Sequence, residues 1–125
     1  MNTFWRSESG NKNITLAQLI KELDRQNIKT KAVSLNKIKP LIIEQDYCGE
    51  SKNRVNNANL NYPIIIVKHM GEYKSILDGN HRAFKALSLK KTKIKAREFN
   101  LDSKETPKMF KDLLGYKIKP LYEKH

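Results

Sequence analysis

Residues 78–82 of this chain, Asp78-Gly79-Asn80-His81-Arg82, place a carboxylate, a glycine, an amide, an imidazole and a guanidinium in consecutive positions. The apolar Ile76 and Leu77 precede them. Ala83, Phe84, Ala86 and Leu87 follow at helical spacing, so the five sit where a strand gives way to a helix. The chemistry suited to such a place is the holding of an anion, phosphate above all. Free N–H groups and the positive end of a helix dipole attract negative charge there, and a guanidinium adds planar, bidentate hydrogen bonding. Gly79 permits a sharp turn and a close approach to the backbone. Asp78 either caps the helix, by accepting from N–H groups two or three residues on, or helps to hold a divalent metal. Arg82 in the first turn opposes the dipole, so it reads as a ligand-binding cation more readily than as a helix stabiliser. His81 adds a donor whose charge changes near neutral pH. Asn80, His81 and Arg82 are therefore phosphate-contacting candidates, with Lys85 one turn further on the same face. An ordinary capped helix with solvated polar residues has the same spacing.

The elements that must position these groups are legible around them. Ile64 to Val67 is a continuous β-branched run suited to a buried strand, His69-Met70-Gly71-Glu72 reads as a turn, and Tyr73 to Leu77 returns. After the helix, Lys93, Lys95 and Arg97 alternate with Ile94 and Ala96, which predicts a strand with one core face and one cationic face. That face is a candidate for nucleic acid contact. Residues 46–61, rich in Asn, Gly and Ser, read as a long loop whose Lys52 and Arg54 suit a lid or a nucleic-acid-contacting role. Leu16, Leu19, Ile20 and Leu23 predict an amphipathic helix running from an N-cap at Thr15 to about Gln26. Pro107, Met109, Phe110, Leu113 and Leu114 predict a short helix ending near Gly115, followed by a basic tail. The first dozen residues are polar and read as loose, with Phe4 and Trp5 as candidates to dock on the body.

Composition bounds the partners. A chain of 125 residues suits one domain with a modest core. Its 25 Lys and Arg against 13 Asp and Glu leave a net charge of +12, a field that attracts polyanions and makes nucleic acid the leading partner class. A lysine-rich solvated surface is the plainer alternative. The single cysteine, Cys48, excludes an internal disulfide and fits a reducing compartment. The longest apolar run falls far short of the roughly 20 residues that span a bilayer, and no signal-peptide pattern opens the chain. The expectation is a cytoplasmic protein without membrane contact, in a cell or in the cytosol of an infected host.

Taken with its flanking strand and helix, the Asp78–Arg82 string resembles the signature of the ParB/sulfiredoxin-like fold. The order of elements is similar too: Ala32 to Pro40 resembles that family's opening strand and short helix, Tyr62 to Val67 its central strand, Tyr73 to Leu77 the paired strand, and Lys93 to Phe99 the strand after the signature helix. The resemblance spans residues 32–100. It implies a compact α/β domain with a small mixed sheet flanked by helices, preceded by a polar segment and amphipathic helix in residues 1–31 and followed by a helix and basic tail in 101–125.

Members of that family use the turn to bind nucleotide phosphates, so the resemblance implies a nucleoside triphosphate, CTP or ATP, with Mg²⁺. Sulfiredoxin chemistry is set aside, because Asn80 stands where its reactive cysteine would be. A full partitioning clamp is not the expectation, since Asn80 and His81 stand where its signature has a glutamate and further arginines, and this sequence shows no pattern of its helical DNA-binding domains. The Asp-Gly-X-His-Arg form is closest to serine-kinase and stand-alone members, where a carboxylate after the first strand acts as base; Glu44 is the positional match. The leading expectation is a nucleotide-binding, DNA-associated protein, with NTP or DNA hydrolysis through Asp78, Glu44 or His81 and a metal at Asp78. The alternative is a non-catalytic phage or mobile-element protein that binds DNA or a host protein. A small-molecule kinase is third, and a homodimer stays open.

Overall fold

The computed structural model describes residues 4–6, 13–42, 55–112 and 114. Glu44, Cys48, Lys52, Arg54 and the basic tail lie outside them. The architecture is mixed α/β, built on a four-stranded sheet. Strands β1 (Phe4–Arg6) and β2 (Asn13–Thr15) form a separate antiparallel ribbon, which corrects the expectation of a loose N-terminus. Helix α1 (Leu16–Arg25) follows directly. Then come β3 (Lys31–Ser34), α2 (Leu35–Ile38) and a 3-10 turn at Lys39–Leu41. The hairpin β4 (Ile64–His69) and β5 (Glu72–Asp78) leads through α3 (Asn80–Ser88) to β6 (Lys93–Asn100).

The sheet order is β3-β6-β4-β5. The last described strand, β6, therefore lies inside the sheet, parallel to β4 and antiparallel to β3. Its partner β4 is covered on both sides, which is why its run of four β-branched residues is uninterrupted. Ile64 and Ile66 face one core with Val33, Ile38, Ala83, Ala86, Ile94 and Ala96. Ile65 and Val67 face the other, with Leu19, Leu23, Leu77, Phe99, Phe110 and Leu114. The result is three layers: α2 and α3 on one face of the sheet, α1 and the segment through Leu114 on the opposite face.

Local chemistry explains the boundaries. Thr15 Oγ1 accepts from the Gln18 N–H at 3.1 Å while Gln18 Oε1 accepts from the Thr15 N–H at 2.8 Å, a reciprocal box that starts α1 where β2 stops. Burial of Leu19 and Leu23 on the sheet, worth about 1.5–3 kcal/mol each, holds a ten-residue helix that would be marginal alone. The hairpin turn is shorter than the sequence suggests. His69 and Glu72 pair within the strands, leaving Met70 (φ 52°) and Gly71 (φ 78°) as a two-residue turn with both positions left-handed. The long loop expected over 46–61 is also interrupted: residues 55–57 are helical and Val55 is buried, because a β-branched side chain between polar neighbours still finds the core.

Candidate functional site

Asp78 closes β5 opposite Ile65, and Gly79 turns the chain into α3 with φ 97° and ψ 24°. The helix start is closed by the Ala83 N–H donating to the Gly79 carbonyl at 2.9 Å, and no side chain caps it. This corrects the capping role expected of Asp78. Its carboxylate instead accepts from Arg82 Nη2 at 2.9 Å, one helical turn on. The guanidinium is the stronger, charge-assisted donor, and it reaches the carboxylate from one helical turn on. Arg82 Nη2 also lies 3.4 Å from the Pro63 carbonyl, so the arginine joins the end of β5 to the start of β4. About a fifth of its side chain is exposed (21%), and its Nε is buried with no hydrogen-bond partner.

The close approach that Gly79 allows is already in use. A Cβ there would lie 2.6 Å from Ile64 Cγ2 and 2.8 Å from Arg82 Nη2. The glycine is thus required by the packing of the turn on β4, whatever else reaches its backbone. Asn80 and His81 are half-buried in the first turn beside Arg82. Lys85 is on the same helix, but its ammonium donates to the Asn56 and Ala58 carbonyls at 2.9 and 2.8 Å, strapping the 55–58 segment to α3. The structure thus brings Asp78, Gly79 and Arg82 into direct contact, with Asn80 and His81 alongside, and gives Lys85 a structural partner.

On β6, Lys93 and Lys95 are exposed as expected, whereas Arg97 turns inward. Its Nε and Nη2 donate to the Ile28 carbonyl at 3.1 and 2.7 Å, and Nη2 pairs with Asp24 at 2.8 Å. That arginine secures the chain between α1 and β3. Its carbonyl partner is 69 residues away, so no local pattern could have distinguished it from its lysine neighbours.

A polar cluster unforeseen in the sequence lies on the other side of the sheet. Tyr73 donates its phenol to Glu98, which also pairs with Lys31 at 3.0 Å and approaches Lys68 at 3.9 Å. The Lys68 ammonium lies 5.7 Å from the centre of the Tyr73 ring. Burial, reinforced by Glu98, pushes the Tyr73 phenol up to about 12. Burial of Glu98 works against its charge, but the Tyr73 and Lys31 hydrogen bonds outweigh it and its pKa is lowered. The available signal was periodicity: Glu98 continues the inward set Ile94 and Ala96, and an inward carboxylate needs partners. Because its folded pKa lies below its unfolded value, Glu98 contributes stability that is present above the unfolded pKa and lost as pH falls through the folded one. Glu98→Gln is expected to lower the melting temperature at pH 7, with the difference from the parent protein shrinking below about pH 4; an undiminished difference at pH 3 would refute the linkage.

A cleft of about 410 Å³ beside this cluster is lined by Lys37, Lys68, Gly71, Glu72 and Tyr73, and another of about 350 Å³ by residues of the α1–β3 connection and Arg97. Neither is lined by residues 78–82. Among the described residues no group of three or more His, Cys, Asp or Glu is gathered for a metal ion, and no helix is long and apolar enough to cross a membrane. Comparison with family models, with curated proteins and with solved structures finds no match for the chain.

Proposed function

We propose that this chain is a nucleotide-phosphate-binding, DNA-associated protein of the ParB/sulfiredoxin-like type, with the turn at residues 78–82 receiving the phosphate. One observation carries the reading. The buried side-chain polar atom without a hydrogen-bond partner among the described residues is Nε of Arg82, in the first turn of α3. A buried donor left without an acceptor costs about 1–3 kcal/mol, a cost that an arriving acceptor would relieve. A phosphate oxygen supplies one, in reach of the helix N–H groups that favour an anion. Asp78 holds the guanidinium in orientation and leaves the turn close to neutral, so a bound triphosphate, CTP or ATP, would bring Mg²⁺ to offset its own charge. In a hydrolytic or phosphoryl-transfer reaction His81 and Asp78 are the nearest acid–base groups; Glu44, the base implied by the kinase-like resemblance, lies outside the described residues.

The Asp78–Arg82 ion pair itself favours a second reading, a non-catalytic protein of phage or mobile-element type that binds DNA or a host protein, since the pair is complete without a ligand. Calorimetric titration with ATP, CTP, GTP and ADP in Mg²⁺ separates the two. The nucleotide reading expects saturable binding that weakens by about 10- to 100-fold in Arg82→Ala, the worth of charge-assisted hydrogen bonds. It expects little recovery in Arg82→Lys, which keeps the charge but loses the planar fork. No binding by any of the four nucleotides to the folded parent protein would leave the second reading.

A further inference from the structure

We infer that the open half of the sheet at β3 and β6 is a surface for the phosphodiester backbone of duplex nucleic acid, centred on Lys93 and Lys95. This deepens the DNA-associated part of the proposed function and is independent of the nucleotide site.

Four of the six residues from 90 to 95 are lysine. Lys90 and Lys91 form the turn that leaves α3, and Lys93 and Lys95 open β6; all four are exposed. The register sets Lys95 beside Ala32 and Lys93 beside Ser34, so the two lysines rise from a floor of small residues. They share the sheet face that α1 covers further along, where Phe99 is buried and Arg97 is tied to Ile28. Coverage ends at Arg97, and beyond it the face is open.

The charge of this region is one-sided. No Asp or Glu occurs in residues 29–40 or 88–97. Other cations of the sheet and of α3 are paired with acids that lie outside those two stretches: Arg97 with Asp24, Lys31 with Glu98, Lys74 with Glu72 and Arg82 with Asp78. Lys90, Lys91, Lys93 and Lys95 form no ion pair among the described residues. Lys93 and Lys95, two residues apart on one face, lie about 6.6 Å apart along the strand and repel each other. Unrelieved like charge on a rigid strand is what an external polyanion would relieve.

Chemistry narrows the partner. Single-stranded nucleic acid is gripped by stacking bases on aromatic rings, and residues 29–40 and 88–97 contain no aromatic side chain. Lysines act as point charges toward phosphate and read no base edge. The surface therefore suits a duplex backbone without sequence preference.

The test is fluorescence anisotropy with a mixed-sequence DNA duplex, a single strand of the same length, and phosphatidylserine vesicles, each over a range of salt. The triple variant Lys91→Gln/Lys93→Gln/Lys95→Gln is compared with Lys21→Gln/Lys104→Gln/Lys108→Gln, exposed lysines on α1 and after β6 that lose the same charge. The first triple is expected to weaken duplex binding at least tenfold at low salt and to reduce the slope of log K against log salt by about 2.7, or ~0.9 per lost contact. The second triple should change the slope by less than one contact's worth. Equal effects of the two triples, no effect of the first, tighter binding of the single strand, or vesicle binding with the same lysine dependence would each overturn the inference. The duplex titrations contain no nucleotide, so failure of this surface and failure of the nucleotide site are read separately.

Discussion

Gly79→Ala is expected to destabilise the protein by about 2–4 kcal/mol, lowering the melting temperature by roughly 10 °C. Two costs add. The backbone at φ 97° lies where an L side chain is strained. The new methyl would also lie 2.6 Å from Ile64 Cγ2 and 3.0 Å from Ile64 Cβ, and Ile64 is a fully buried residue of β4 that has no room to move. The guanidinium at 2.8 Å can shift more easily, but only by loosening its hold on Asp78. Gly71→Ala provides the control. Its φ is similar at 78°, yet nothing lies within 4 Å of the added Cβ, so its cost is the backbone strain alone, about 1 kcal/mol. Thermal melts of the two variants side by side check the argument; equal losses would show that the Ile64 contact carries no weight.

Phe99→Ala is expected to cost about 3–5 kcal/mol, a large part of the roughly 5–15 kcal/mol that a domain of this kind has in total. Phe99 is 1% exposed and stacks at a tilt on Phe110 with ring centres 5.5 Å apart. It joins β6 to α1 and to the segment through Leu114, so its removal opens a cavity beneath two elements that no backbone ladder ties to the sheet. Phe110→Ala removes the other ring from the rim of the same core, where the helical turn at 108–112 can settle inward, and its cost should be smaller. Urea denaturation orders the two, and a Phe110→Ala loss equal to or above that of Phe99→Ala would contradict this account of the core.

Much of the fold was legible because strong local signals agree with the tertiary arrangement. The Leu16, Leu19, Leu23 spacing and Thr15 cap gave α1 to within a residue, and the β-branched run of β4 announced a buried strand. The N-terminal ribbon was hidden because Phe4–Arg6 is short and its pairing with Asn13–Thr15 is not a local pattern. At the candidate site, sequence spacing could not distribute the hydrogen bonds of the Asp78–Arg82 residues. Whether Asp78 caps or pairs with Arg82 depends on which donor reaches its carboxylate. Lys85 and Arg97 show the same limit, since both are engaged by carbonyls from segments distant in the chain.

The place of β6 in the sheet has a consequence for how the molecule is made. Strands β3, β4 and β5 emerge from the ribosome first, yet β3 and β4 have no contact as neighbours until β6 is inserted between them. Until then β4 has one partner, the β5 hairpin, and its other edge is an open template flanked by isoleucines. The β4 edge is closed when Ile64 pairs with Ala96, about thirty residues on, and β3 joins only through Val33 and Ile94, about sixty residues apart, so both steps close a loop before they yield contacts. The nascent chain passes through an interval in which its most apolar strand is exposed along one edge, the condition under which strands recruit other strands. Strand β6 is thus both the keystone of the sheet and the group that ends this hazard.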